Sequence, residues 1–254
     1  MQDAESANPV CGDSYARAFM NVEGLAILDA FKDETGPNIS NVARARIIDD
    51  LLREDLAAKP DLTVVLIGAG FDSRAFRLTG GTWAELDEPQ VIEYKNERLP
   101  AADCPNELHR IPIDFSTESL EEKLSLLANR EPVTVVVEGV LMYLEEIQIR
   151  QMLRALHRLF PRHKLICDLM DRKFFEKYGK SMHEKLTGMG ASFKFTADNP
   201  EKVFLKNGYH RRSKISVIER AVRLGAIKMP VILLKTLMRT LANGYAIYVF
   251  EDNP

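Results

Sequence analysis

The feature that most constrains this chain is a short apolar strand that runs into a glycine turn. Residues 62–67 read LTVVLI, a largely β-branched run bounded by Pro60 and Gly68, and such a run predicts a buried strand. It leads into Gly68-Ala69-Gly70, and a helical stretch follows. Glycines at that turn let a ligand approach the backbone without meeting a Cβ. Strand, glycine turn and helix together set a nucleoside-type ligand at the C-terminal edge of a sheet. Comparable runs recur at 82–86, 109–113, 133–137 and 164–169, separated by helical stretches at 89–99, 120–127 and 145–160. This alternation predicts βαβ units and a parallel sheet covered on both faces. Runs at 213–218 and 245–250 bring the strands to seven, and the last, close behind a helix, is expected to insert antiparallel.

The N-terminal part has a different pattern. Apolar residues recur at near-helical spacing from Tyr15 to Phe31 and again over 42–56, where Asp49 and Asp50 fall on the polar side. Residues 1–60 are therefore expected to form a helical cap on an α/β unit spanning 61–254, the two making one body. After Asp171 the pattern loosens. Residues 172–195 predict a helix and a loop, Asn199-Pro200 opens a helix that stops at Asn207-Gly208, and Pro230 opens another. Among the 254 residues are 34 Lys and Arg against 37 Asp and Glu, so the net charge of −3 gives no global argument for nucleic acid or an anionic membrane. Three separated cysteines, Cys11, Cys104 and Cys167, with no CxxC pair, disfavour a disulfide framework or structural zinc. There is no apolar run of about 18 residues, and the polar, acidic start does not resemble a signal peptide. A soluble cytoplasmic protein is expected, with no metal, no membrane and no nucleic-acid partner.

The ligand class follows from acidic residues around the turn. Asp87 ends the second strand, 19 residues after Gly68, where a carboxylate can accept hydrogen bonds from ribose hydroxyls. A dinucleotide fingerprint needs Gly or Ala where this chain has Ser73. Asp72 places a negative charge where a pyrophosphate would lie. A cationic, phosphate-free nucleoside suits that polarity, and the sulfonium S-adenosylmethionine is one. No GxxxxGK[ST], GxSxG or HExxH occurs, and His157 and His163 show no ligand spacing and read as surface residues.

At these residues the chain resembles a known family. Residues 65–78, VLIGAGFDSRAFRL, are similar to the first motif of the leucine carboxyl methyltransferase family, which includes bacterial O-methyltransferases of polyketide tailoring. The segments NVARARIIDD (41–50), WAELDEP (83–89) with Lys95, PIDF (112–115) and VEGVLMYL (137–144) resemble further family motifs in the same order. The resemblance covers roughly residues 12–250. It implies a class I methyltransferase fold, Rossmann-like, with a seven-stranded mostly parallel sheet, an antiparallel last strand and a helical N-terminal cap. It implies S-adenosylmethionine as cofactor. By the same resemblance Arg44 pairs with the cofactor's methionyl carboxylate, in keeping with the bidentate geometry of guanidinium. Gly68, Ala69, Gly70 and Asp72 form the loop beneath it. Asp87 takes the ribose, Asp114 and Phe115 the adenine, and Glu138 is a pocket acid beside the cofactor, with Tyr143 on the acceptor side.

The resemblance has gaps. The family's N-terminal basic contact has no clear counterpart, Arg17 being a candidate. The region after the fifth strand is short, which favours a small acceptor over a protein C-terminus. The expected activity is methyl transfer to an oxygen of a small molecule, a carboxylate or a phenolic hydroxyl. Glu138 and Tyr143 are the catalytic candidates, and Arg17, Arg46 and Arg74 could orient an anionic acceptor. Acceptor contacts are expected from residues 1–30 and 172–240, and Phe174, Phe175, Phe193 and Phe195 could form an apolar lid. Asp114 could instead cap a turn, and Arg74 and Arg77 could be surface residues. The competing readings are a nicotinamide-dependent oxidoreductase, a silent cofactor-binding regulator and a nucleic-acid methyltransferase.

Overall fold

The periodicity over 42–56 belongs to the second of two N-terminal helices in a computed structural model that describes residues 1–31, 35–188 and 190–252. Residues 32–34 of the expected cap, residue 189 and the last two residues of the expected α/β unit lie outside the described residues. Turns occupy most of the chain before α1 (Val22–Ala30), so the helix expected from Tyr15 starts only at Val22. Asn21 caps it by accepting from the Gly24 N–H. Helix α2 (Thr35–Ala58) buries Ala43, Ile47, Ile48, Leu52 and Leu56. It also buries Asp49 completely, which corrects the expectation of a polar-side position. Two guanidinium groups, described below, make that burial tolerable.

The chain continues through β1 (Thr63–Ile67), α3 (Arg74–Arg77), β2 (Thr82–Asp87), α4 (Pro89–Arg98), β3 (Glu107–Pro112), α5 (Leu120–Lys123), β4 (Val133–Val137), α6 (Glu146–Leu159) and β5 (His163–Met170). Strands β1 and β4 are buried at every position, as expected for central strands of a parallel sheet. Helix α6 buries Ile149, Leu153 and Leu156 on one stripe, and a capping box formed by Glu145 and Gln148 starts it. Helices α7 (Arg172–Phe174) and α8 (Lys180–Gly188) are joined by a π-helical turn. Then come α9 (Lys202–Leu205), β6 (Tyr209–Ser216), α10 (Val217–Arg223), α11 (Val231–Leu237), α12 (Arg239–Asn243) and β7 (Tyr245–Asp252).

Strand six corrects the sequence reading. Val217 and Ile218 open α10 rather than close a strand. The Ser216 hydroxyl accepts from the Glu219 N–H at 3.0 Å, a helix cap hidden inside an apolar run.

The sheet order is β3-β2-β1-β4-β5-β7-β6. The pairs from β3 to β5 are parallel, and β7 runs antiparallel to both β5 and β6. From the centre the chain builds outward through β1, β2 and β3, then returns to start the other half at β4. Beyond the C-terminal ends of β1 and β4 the order reverses, which is where open α/β sheets bind ligands. One half of the core packs around Ile47, Leu52 and Trp83, the other around Leu153, Leu156 and Phe250. No helix among the described residues is long and apolar enough to cross a membrane.

Candidate active site

The loop after β1 is fixed by β2. The N–H groups of Gly68 and Ala69 donate to the Leu86 carbonyl at 2.9 and 3.0 Å. Gly68 has φ of +68°, and a Cβ there would stand 2.4 Å from Val140 Cγ2. Both the backbone and the space therefore require glycine. The Asp87 carboxylate accepts from the Gly70 N–H at 2.6 Å and from the Glu88 N–H at 2.8 Å. It links the glycine loop to the end of β2 and still has lone pairs to offer.

Three cavities surround this edge of the sheet. The first, of about 380 Å³, is lined by Gly68, Ala69, Gly70, Asp72, Arg44, Glu138 and residues of the N-terminal turns including Asp3 and Asp13. The second, of about 520 Å³, lies beside Glu88, Ile113, Phe115 and Val140. Ile67 borders both. The third, of about 650 Å³, is mostly apolar, with Met142, Tyr143, Met170, Phe174, Tyr178 and Phe193 among its walls. Arg44 borders the first and the third.

Charged groups organise the first cavity. Glu138, at the end of β4, accepts from Arg44 Nε at 2.8 Å and from Arg74 Nη1 at 2.7 Å. Burial pushes its carboxyl up, but Arg74 and Arg44 outweigh burial and hold it below the ordinary value. Arg74 also binds Asp72, and its Nε donates to Asp49 at 2.7 Å. Arg77 Nη1 donates to Asp49 at 2.6 Å. Arg74 is 2 % exposed, so the surface alternative for it does not hold. Arg44 Nη1 reaches Tyr245 Oη at 2.9 Å and Asp168 Oδ2 at 3.3 Å. Its Nη2 makes no hydrogen bond among the described residues.

The sequence candidates are distributed over all three cavities. Arg44, Gly68, Ala69, Gly70, Asp72 and Glu138 surround the first cavity, and Asp87 stands behind the loop. Phe115 lines the second cavity, whereas Asp114 does not. The Asp114 carboxylate instead accepts from the Ser116 N–H at 2.8 Å and the Ser116 hydroxyl at 2.5 Å, so it caps a turn. Tyr143 lines the third cavity, edge-on to Phe193 with ring centroids 5.3 Å apart. Of the four phenylalanines considered as a lid, Phe174 and Phe193 line that cavity.

Other expectations are corrected. Arg17 has a side chain 83 % exposed and paired with Glu5, and it lines none of the three cavities. Arg46 pairs with Asp50. Of residues 1–30, Met1, Asp3, Ala4, Cys11, Asp13 and Ala16 line the first cavity and none lines the third. His163 is buried, bonded to the Phe160 carbonyl and Tyr209 Oη, not at the surface. Asp168 and Tyr245 were missed. Asp168 had a usable signal, since a lone acid inside the apolar run LICDLM needs a partner just as Glu138 does.

This edge fits a nucleoside bearing an amino-acid group. The space over Gly70 is open, Arg44 offers beside Glu138 an Nη2 that makes no hydrogen bond among the described residues, and Phe115 and Ile113 give the adjoining cavity apolar walls. Residues 1–157 match the sequence family described as leucine carboxyl methyltransferase. The tetracenomycin polyketide synthesis O-methyltransferase of Streptomyces glaucescens is 30% identical over 209 residues, covering 79% of this chain and 72% of that protein. A putative S-adenosyl-L-methionine-dependent methyltransferase of Mycolicibacterium smegmatis is 32% identical over 162 residues, covering 56% of this chain. That match spans about half of the mycobacterial protein, 53% of its length. Among solved structures, the magnesium protoporphyrin IX methyltransferase of Synechocystis aligns with a TM-score of 0.52 at 14% identity, covering 90% of this chain and 99% of that one. The geranyl diphosphate C-methyltransferase of Streptomyces coelicolor aligns with a TM-score of 0.52 at 11% identity, covering 84% and 79%. These two likenesses extend the agreement to the fold.

Proposed function

Because the chain belongs to the leucine carboxyl methyltransferase family, we propose that this S-adenosylmethionine-dependent methyltransferase methylates a carboxylate oxygen of a small, largely apolar acceptor. The observation that carries the reading is the third cavity. It meets the cofactor side at Arg44, and its lining among the described residues holds no Asp, Glu, His or Lys.

Bound S-adenosylmethionine supplies an electrophilic methyl group on a sulfonium. The chain's own residues hold and align the reactants. Arg44 and Glu138 offer a charge pair to the methionyl carboxylate and ammonium, Asp87 accepts from the ribose, and Phe115 covers the base. The acceptor's apolar body lies against Met142, Met170 and Phe174, and these walls exclude water, so that alignment supplies most of the rate. Burial pushes the phenols of Tyr143 and Tyr245 upward, so both stay protonated and neither is available as a base. A phenolic or alcoholic acceptor would need a base to remove its proton, whereas a carboxylate arrives ionised. Charge distribution favours the same acceptor. Residues 172–240, which supply much of this cavity, carry 16 Lys and Arg against 5 Asp and Glu, while the rest of the chain carries 18 against 32. A positive segment attracts an anion.

Matched aromatic carboxylic acids and phenols, offered with S-adenosylmethionine, test the acceptor. Methyl esters are expected, at a rate nearly flat between about pH 6 and 9. Methylation of the phenols alone, rising with pH, would exclude the carboxylate.

A further inference from the structure

Three contacts fix the Arg44 guanidinium, and one is unusual. The Nε–Glu138 bond is 2.8 Å and the Nη1–Tyr245 bond is 2.9 Å, but Nη1 stands 3.3 Å from Asp168 Oδ2. Charge-assisted bonds of this type normally measure about 2.7–2.9 Å. The reason is a competitor. The Tyr245 hydroxyl donates to the same Oδ2 at 2.9 Å while it accepts from Arg44. Asp168 is itself immobile, because its Oδ1 accepts from the Gly139 N–H at 2.7 Å. Gly139 has φ of +70°, and a Cβ there would stand 3.2 Å from Arg44 Nη2, so glycine keeps the unpaired edge of the guanidinium clear.

We propose that Tyr245 and Asp168 are positioning residues for Arg44, with the Tyr245 hydroxyl holding the guanidinium off Asp168 so that its Nη2 edge stays free for the cofactor's carboxylate. This rests on the methyltransferase reading above. Without the hydroxyl, Arg44 closes onto the buried carboxylate of Asp168 and turns that edge away. The Tyr245 ring also lines the third cavity, so an acceptor pressing on it reaches the cofactor's anchor through one bond. The two cavities are coupled through Arg44.

The test compares two ligands that differ only beyond the thioadenosine. S-adenosylhomocysteine carries the amino-acid carboxylate and ammonium, and 5′-methylthioadenosine lacks both. Calorimetric titration of Tyr245→Phe is expected to show S-adenosylhomocysteine weakened about tenfold and methylthioadenosine changed less than about twofold. In an Arg44→Ala background the same substitution is expected to change neither, because the effect passes through Arg44. A purely structural role would lower the melting temperature and move both ligands together. Equal weakening of both, no change in either, or a full effect without Arg44 overturns the proposal. A wild-type chain that binds methylthioadenosine but not S-adenosylhomocysteine overturns it too, and one that binds neither fails the methyltransferase reading first and the proposal with it.

Discussion

Replacing Arg74 with methionine is expected to lower folding stability by about 3–5 kcal/mol, the range for breaking one side of a buried ion-pair network. Arg74 joins three acids from separate parts of the chain: Asp49 on α2, Asp72 in the glycine loop and Glu138 at the end of β4. Its Nη2 also donates to the Ala45 carbonyl at 3.2 Å. Methionine fills the volume and supplies none of these donors. Asp49 keeps Arg77 and Glu138 keeps Arg44, so the loss is large without being the whole network. At about 2–4 °C per kcal/mol for a chain of this size, the melting temperature should fall by about 10 °C. The pH dependence should change as well. Burial pushes Asp49 up, but Arg74 and Arg77 outweigh it and hold its folded carboxyl below the ordinary value. The same is true of Glu138. These groups stabilise the fold above the unfolded carboxyl range of about 4, and that stabilisation is lost as pH falls through the depressed folded values. The variant should therefore lose less further stability than the wild type as pH falls below about 4, because less of the depression is left to lose. Urea unfolding at several pH values reads both effects, and a loss under about 1 kcal/mol would place Arg74 among ordinary surface ion pairs.

Asp87→Ala is expected to weaken S-adenosylhomocysteine about a hundredfold. A carboxylate accepting two ribose hydroxyls contributes charge-assisted bonds of about 1.5–3 kcal/mol each, and each 1.4 kcal/mol is tenfold in affinity. The carboxylate also secures the Gly70 N–H at 2.6 Å, so its loss loosens the loop that shapes the first cavity. Asp87→Asn separates these roles. The amide keeps an acceptor for Gly70 and gives up the charge, so its affinity should fall between wild type and Asp87→Ala. Calorimetry on the three proteins decides, and equal affinities would remove Asp87 from the site.

Sequence reading served best where signals were local. Strand β4 was bounded correctly by its own run of β-branched residues, and the turn at Gly68 was evident from the strand before it. Asp87 was placed by its distance along one βαβ unit. What failed depended on distant partners. Asp49 looked like a polar-face residue because Arg74 and Arg77 lie 25 and 28 positions away. Asp168 meets Arg44 across 124 residues and Tyr245 across 77, and no spacing rule covers such pairs. The third cavity gathers α2, the loop after β4, the helices after β5 and the start of β7, so its apolar character could not be seen in any one segment. Asp114 shows the reverse situation, since a residue matched to a binding role has one carboxylate oxygen, Oδ1, engaged by Ser116 next door.

The central claim is that the glycine loop, Asp87 and Arg44 bind a sulfonium nucleoside rather than a dinucleotide. Thermal unfolding of the wild-type chain with S-adenosylhomocysteine or NADH tests it most directly. At about 100 times its dissociation constant, S-adenosylhomocysteine should add about 2.7 kcal/mol, raising the melting temperature by several degrees, while NADH should leave it unchanged. Stabilisation by NADH alone would contradict the account and return the chain to the dinucleotide-dependent readings its glycine turn first raised.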